Sequence, residues 1–375
     1  MDWPEIIELQ DITIGPLVGP SSKGSLTVEA SPPSPALQHY RYGKAESALT
    51  ILPLNDAKAT TIVEEPVIYG GLMFRHFGHA LTESIHRLWP RYALKELHSA
   101  KVAFNLVNNT KIMPYMTEAL NFHGFSKSHV IPITEPIRFR RLFVGQQART
   151  LAGPTTFPGY QSMLDRELSW RLPPPSGSRR LYISRLRHQH SGSFYGESFV
   201  EKALQKAGFE VVYPEDLSLT QLVEALRSAE LAIFAEGSAI HALELCGSAV
   251  PDTAIISRRP ASMRRFSPLL QDICERWLIS DHVLAQAGLS MDRKKHSAVL
   301  ALPALMRDLG RFAGLGNTWD DQAEIMAAAI DQDVCSHIQD SRVDRTDDYE
   351  VRAARLGSFV HEVSSGRAAS DAFLI

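Results

Sequence analysis

The sequence predicts an α/β protein of two α/β units followed by a helical tail, and three observations carry that expectation. At 375 residues with 44% hydrophobic content, the chain can bury a large core, and its length favours two domains over one. Strand-length apolar runs alternate with helix-period segments, strictly so over residues 181–257, which implies a parallel sheet wrapped by helices. The run Pro173-Pro174-Pro175-Ser176-Gly177 cannot continue a helix and offers almost nothing to bury, so it reads as a linker.

The elements follow in order. Residues 17–36 are rich in Pro, Ser and Gly; after an apolar run at Ile51 to Leu54, the first strong strand is Glu65 to Tyr69, closed by Gly70-Gly71. A helix-like segment at 79–91 comes next, then a buried strand at Val102 to Val107 and a helix at Met113 to Phe122. Short strands at Val130 to Ile133 and Arg141 to Val144 complete the first unit, 1–172. The second unit, 178–285, opens with a strand at Leu181 to Ser184, a helix at Ser198 to Ala207 and a strand at Phe209 to Tyr213. Ser218 and Gln221 form a capping box for a helix reaching Ser228; an apolar strand at Leu231 to Ala235, a helix at Ser238 to Cys246 and a strand at Thr253 to Ser257 follow. Residues 286–375 read as an Ala-rich helical extension, with helices at Ala298 to Phe312, Asp320 to Asp331 and Asp348 to Val363. Docking on the first unit, dimerisation and docking on a membrane-bound assembly are all open roles for it.

Charge and cysteine usage narrow the function classes. Lys plus Arg number 39 against 42 for Asp plus Glu, and a net charge of -3 gives no bulk attraction for a phosphodiester backbone, so nucleic acid is a poor partner. The N-terminus has early acids and no basic region before an apolar run, and no stretch of about 18 apolar residues occurs, which reads as a soluble, cytoplasmic protein. Cys246, Cys274 and Cys335 are odd in number and far apart, so buried free thiols are expected.

The first chemical feature is the stripe at 79–91. At about 100° per residue, His79, Glu83, His86 and Arg87 fall within an arc of roughly 100°, while Leu81, Ile85, Leu88 and Tyr92 lie opposite. Three readings are open. In a glycosyl-transfer site Glu83 takes the proton of an acceptor hydroxyl while His79 or Arg87 positions it. In a metal site His79, Glu83 and His86 share one face as ligands, with His76 as a fourth, although the HExxH order is missing. Otherwise the stripe is a solvated or inter-domain face.

Two further features sit in the second unit. The strand ending at Ala235 runs into Glu236-Gly237-Ser238, where small residues and a helix N-terminus let an anionic group approach backbone N–H donors; the same junction also serves tight packing alone. His241 follows early in that helix, facing ligand or solvent. Ligands of open parallel sheets bind beyond the carboxyl ends of the strands, which places Ser184 and Arg185 beside this turn, with Arg185 a candidate phosphate clamp. Arg187, His188 and His190 with Ser191-Gly192-Ser193 read as a basic, solvated surface loop.

In this order the pieces resemble the family 61 glycosyltransferases, known also through the bacterial capsular polysaccharide biosynthesis domain. The family shows an aromatic-His-x3-Asp-x3-Arg-Leu helix, and this chain has Phe77-Gly78-His79, Glu83 and Arg87-Leu88. It continues with Tyr182-Ile183-Ser184-Arg185, Gly208-Phe209-Glu210-Val211-Val212, Tyr213-Pro214-Glu215-Asp216-Leu217-Ser218 and Glu236-Gly237-Ser238-Ala239. The likeness spans about residues 65 to 260. Three departures stand out: the family's Asp is Glu83, the His of its His-Gly-Ala turn is Glu236, and Gly196-Glu197 replaces Asn-Glu. A glutamate at 236 puts negative charge where a diphosphate approaches, or turns toward a sugar hydroxyl.

The resemblance implies a GT-B-like fold, two Rossmann-like domains facing across a cleft, the first taking a glycan or other hydroxyl acceptor and the second a nucleotide-sugar donor. It implies an inverting hexosyl- or pentosyl-transferase of surface polysaccharide biosynthesis, with Glu83 and His79 catalytic. Arg87, His86, Ser184, Arg185, Glu236, Gly237, Ser238 and His241 would bind substrate. No metal or other cofactor is required, because cationic side chains and helix dipoles can carry the leaving-group charge. A non-catalytic sugar- or nucleotide-binding protein and a metal-dependent hydrolase on the His79, Glu83 and His86 face are the alternatives.

Overall fold

A computed structural model describes residues 3–19, 25–29, 34–40, 50–54, 59, 61–107, 111–150, 155–169, 174–260, 262–340, 342–343 and 348–367. Parts of the Pro- and Ser-rich stretch at 17–36, and Pro173 of the linker, lie outside the described residues. The chain divides into two compact units: Met1–Pro174 with Ser218–Glu224 and His241–Ala249, and Pro175–Leu217 with Ala225–Ile240 and Val250–Ile375.

The first unit is built on a mixed sheet of β1 (Ile6–Ile14), β2 (Ser25–Val28), β3 (Thr50–Pro53), β4 (Thr61–Val63), β5 (Val67–Met73), β6 (Lys101–Leu106), β7 (Val130–Ile133) and β8 (Ile137–Gly145). Its order is β3-β2-β1-β8-β5-β6-β7, with β4 also on β8. β1, absent from the sequence reading, pairs antiparallel along β8 from Ile6 opposite Gly145 to Ile14 opposite Ile137. β5 does not stop at Gly70-Gly71 as expected but runs on to Met73, buried at every residue. The glycines serve packing and a bulge instead of a turn. A Cβ at Gly70 would lie 2.1 Å from the Phe104 ring; Gly71 takes φ +82°, and the β5/β6 register shifts between Tyr69 and Gly71.

The expected 79–91 helix is a composite. An α-turn at Phe77–His79 passes into a π-turn at Ala80–Ser84, a 3-10 turn at Ile85–Arg87 and a short helix at Pro90–Ala93. Its polar stripe does not face solvent: Glu83, His86 and Arg87 are as buried as Leu81, Ile85 and Leu88. A polar face can be buried because it meets other polar groups of the unit rather than water.

The second unit carries a five-stranded, all-parallel sheet of β9 (Arg179–Ile183), β10 (Glu210–Val212), β11 (Ala229–Ala235), β12 (Asp252–Ile256) and β13 (Trp277–Ser280). Its order, β10-β9-β11-β12-β13, is doubly wound, with the chain reversing direction across the sheet between β9 and β11. Of the expected helices, Glu197–Lys206 lies in this unit, whereas Leu219–Arg227 begins in the Ser218–Glu224 segment counted with the first; it opens on the Ser218 and Gln221 capping box, each side chain bonded to the other's backbone N–H. The expected helix at Ser238 to Cys246 is a 3-10 helix, Ser238–Leu245.

Beyond residue 260 the structure departs from the pattern the sequence predicts. A helix at Ser262–Ile273, β13 and a hairpin of β14 (Val283–Ala287) with β15 (Ser297–Leu300) were not foreseen, and the expected helix at Ala298 to Phe312 is β15 followed by Leu302–Phe312. Four consecutive buried residues in β15 carry no period by which to tell strand from buried helix. Helices Ala323–Gln339 and Tyr349–Ser364 share one core with the sheet, in which Ile330, Val334, Leu356 and Val360 join Tyr182, Ile233 and Ala254. Cys246 and Cys274 are buried, whereas Cys335 is exposed, contrary to expectation. Among the described residues, no helix is long and apolar enough to cross a membrane.

Candidate active site

In the first unit the π-turn aims Glu83 inward, where each carboxylate oxygen meets an imidazole. His79 Nδ1 lies 2.5 Å from Oε1 and His39 Nε2 lies 3.0 Å from Oε2. Phe74 packs against both imidazoles, with ring centroids 5.5 Å from His79 and 5.8 Å from His39. His39 went unnoticed in the sequence because it sits in an irregular stretch with no period. Its place is fixed by Arg87, whose guanidinium donates to the carbonyls of Ala36, Gln38 and Gly145. Arg87 thus binds the backbone beside His39, and burial pulls its pKa down to about 10. Gly71 keeps this corner clear: a Cβ there would lie 3.3 Å from Arg87 Cδ and 3.6 Å from His39 Nδ1.

His86 does not join Glu83. It is fully buried and its Nε2 meets Glu244 Oε2 at 2.8 Å, while His241 Nδ1 meets Oε1 at 3.1 Å and Arg149 stands 3.7 Å away. Burial pushes the Glu244 carboxyl up, but the bonds from His241 and His86 outweigh it and hold the group at about 2. His241, expected to face ligand or solvent, is buried against this carboxylate. A single ligand set of His79, Glu83 and His86 is therefore not assembled, and among the described residues no group of three or more His, Cys, Asp or Glu is placed to hold a metal ion.

In the second unit the side chains gather beyond the carboxyl ends of β9, β11 and β12. Arg185 lies against the Gly237 turn: a Cβ at Gly237 would come within 2.6 Å of Arg185 Nη1. Its Nε and Nη2 donate to Gly192 O at 3.3 and 3.1 Å. Gly192 has φ +85°, and a Cβ there would meet the His296 carbonyl oxygen at 2.7 Å as well as Arg258 Nη1, so the position favours glycine. Glu236 is buried and engaged within the unit. Its Oε2 accepts from the backbone N–H groups of Arg258 and Arg259 at 2.8 and 3.2 Å and from the Ser262 hydroxyl, and its Oε1 faces Arg265 at 3.5 Å and Arg259 at 3.9 Å.

The negative charge read from the sequence is thus surrounded by Arg185, Arg258, Arg259 and Arg265. Burial, then repulsion by Arg185 and Arg259, lowers the pKa of Arg258 to about 9; Arg185 and Arg259 are lowered for the same first reason, burial. Four arginines thus gather around one carboxylate, and burial and mutual repulsion work against their charge. Arg258 and Arg259 were legible in principle, since they directly follow a strand as Arg185 does.

Ser184 is placed differently from Arg185. It is fully buried, and its hydroxyl faces Glu197 Oε1 at 3.2 Å and Glu201 Oε2 at 2.8 Å. Glu197 closes the loop that follows: its carboxylate accepts from Arg185 N at 2.6 Å at one end and from the Ser193 hydroxyl at the other. Burial pushes the Glu197 carboxyl up to about 7 in spite of these bonds. The loop itself is a 3-10 turn, Leu186–Ser191, tied down by Arg187 on the Tyr213 ring and on Asp216, rather than a free loop. Ser238 is half-buried at the start of its 3-10 helix.

Residues 77–256 match the family model described as Glycosyltransferase 61. This segment belongs to glycosyltransferase family 61. No curated protein matches the chain. Family 61 membership implies glycosyltransferase activity, with a sugar donor and an acceptor. The family 61 segment holds both His79-Glu83 and Arg185-Gly237, but it ends at Ile256, so His39, Arg258, Arg259 and Arg265 come from outside it.

Proposed function

We propose that the protein is an inverting, GT-B-like glycosyltransferase that moves a hexose or pentose from a nucleotide-sugar donor to a hydroxyl of a glycan or other acceptor. The His79-Glu83 pair of the first unit is the general base, and the second unit takes the donor, its arginines and the N–H groups around Gly237 and Ser238 stabilising the leaving phosphate. The observation that supports this best is the clustering of Arg185, Arg258, Arg259 and Arg265 at the strand-order reversal of a doubly wound sheet, where such folds bind nucleotides. Direct displacement at the anomeric carbon needs only base and leaving-group stabilisation, both of which side chains can supply. A cytoplasmic place in surface polysaccharide biosynthesis fits a nucleotide-sugar donor.

The test is a thermal-shift panel of UDP, GDP, CMP and their sugar conjugates, followed by a turnover assay on any donor that binds. A ligand at a hundred times its dissociation constant adds about 2.7 kcal/mol. A stabilising nucleotide whose sugar is then transferred with inversion supports the proposal. Stabilisation without turnover favours a binding protein, and no response to any nucleotide overturns the donor assignment.

A further inference from the structure

Glu83 has no solvent-accessible surface, and both its oxygens face imidazole nitrogens. His39 is equally buried, its side chain 1% exposed, whereas the His79 side chain is 26% exposed. A general base must come within hydrogen-bond reach of the proton it removes. Of the three groups, only His79 offers that surface. Its Nδ1 faces the carboxylate at 2.5 Å, and an imidazole that donates from Nδ1 keeps its lone pair on Nε2. The ring is also held in orientation, by Phe74 on one side and by His76 at 5.0 Å, with the planes at 65°.

We infer that His79 is the catalytic base and that Glu83 and His39 are positioning residues acting through it, an inference that rests on the transferase reading above. The acceptor O–H proton passes to His79 Nε2 as the acceptor oxygen bonds to the anomeric carbon. The bond from that carbon to the phosphate oxygen breaks, and its electron pair leaves on the phosphate. The imidazolium is stabilised by the Glu83 carboxylate beside it, and His79 then loses its proton to water. His39 fixes the far carboxylate oxygen, and Arg87 in turn fixes the backbone on which His39 sits.

Two measurements on the full chain decide it. Long-range 15N NMR of histidine-labelled protein, with His79 assigned by its loss in His79→Gln, reads the tautomer without any substrate: Nδ1–H is expected, and Nε2–H overturns the inference whether or not the protein is a transferase. In the transfer assay, His79→Ala should lose roughly 10²–10⁴-fold in kcat with little change in donor KM, and added imidazole should restore at least tenfold. Retention of more than a tenth of kcat by His79→Ala overturns it in favour of Glu83 as the base. Wild-type protein that transfers from no nucleotide-sugar donor fails the transferase reading itself, and with it the catalytic role of His79.

Discussion

The guanidinium of Arg185 rests on Gly237, so closely that a methyl group there would lie 2.6 Å from Nη1 and 2.9 Å from Cδ. The two residues come from the ends of β9 and β11, adjacent strands on which Ile183 pairs with Phe234. A glycine at this turn therefore sets the height of the arginine above the sheet. Gly237→Ala is expected to fold and to weaken nucleotide binding about tenfold, a loss on the order of 1.4 kcal/mol. Titration calorimetry with the best nucleotide from the stability panel measures it; unchanged affinity would mean that Arg185 does not touch the phosphate.

Glu244 is the anchor of the His86 side of the first unit. Its carboxyl is held near 2 when folded, so its stabilisation is complete above its ordinary value of 4.5 and is lost as pH falls from there toward 2. Glu244→Ala removes the buried carboxylate that His86, His241 and Arg149 face and leaves a void in its place, which should cost about 3–5 kcal/mol at pH 7. Urea unfolding reads this directly. A variant as stable as the wild type would show that the cluster contributes nothing.

Glu197 has the opposite dependence. Its folded value near 7 exceeds the ordinary 4.5, so the penalty for burying its charge is absent below about pH 4.5 and complete above about pH 7. A shift of this size corresponds to on the order of 3 kcal/mol. Glu197→Gln, which keeps the shape and removes the charge, should flatten the fall in melting temperature between pH 5 and pH 8. Parallel slopes for variant and wild type would refute the assignment.

The family resemblance implies a substrate-binding role for Arg87, yet its guanidinium is bonded to three backbone carbonyls. Arg87→Met should destabilise the protein by about 2–4 kcal/mol, because the carbonyls of Ala36, Gln38 and Gly145 lose a charged donor. It should also lower transfer by releasing the backbone beside His39, with donor affinity unchanged. A variant that keeps stability and loses only acceptor affinity would return Arg87 to a direct role in binding.

Four of the five strands of the second unit's sheet, β9 to β12, were legible, because each is a short apolar run near Gly, Pro or capping signals, whereas β13 has no such punctuation beside it. Residues 77–88 likewise revealed their unusual side chains. The meaning of Gly70-Gly71 was not legible, since a bulge beside Phe104 and a turn use the same residues for the same steric reason. Nor was the tail, where β15 is too short and too uniformly apolar to show a period.

What the sequence determined by itself was the alternation of elements, the family pattern in 77–256 and the residues carrying acid, base and cation. Only the tertiary structure decided which of these groups meet. It brought His39 to Glu83 across 44 positions and Glu244 to His86 across 158, parted His86 from His79, and enclosed Glu236 among arginines. The reason is physical: helix and strand periods are set by local backbone geometry, whereas a buried charge must find its partner wherever the fold delivers one.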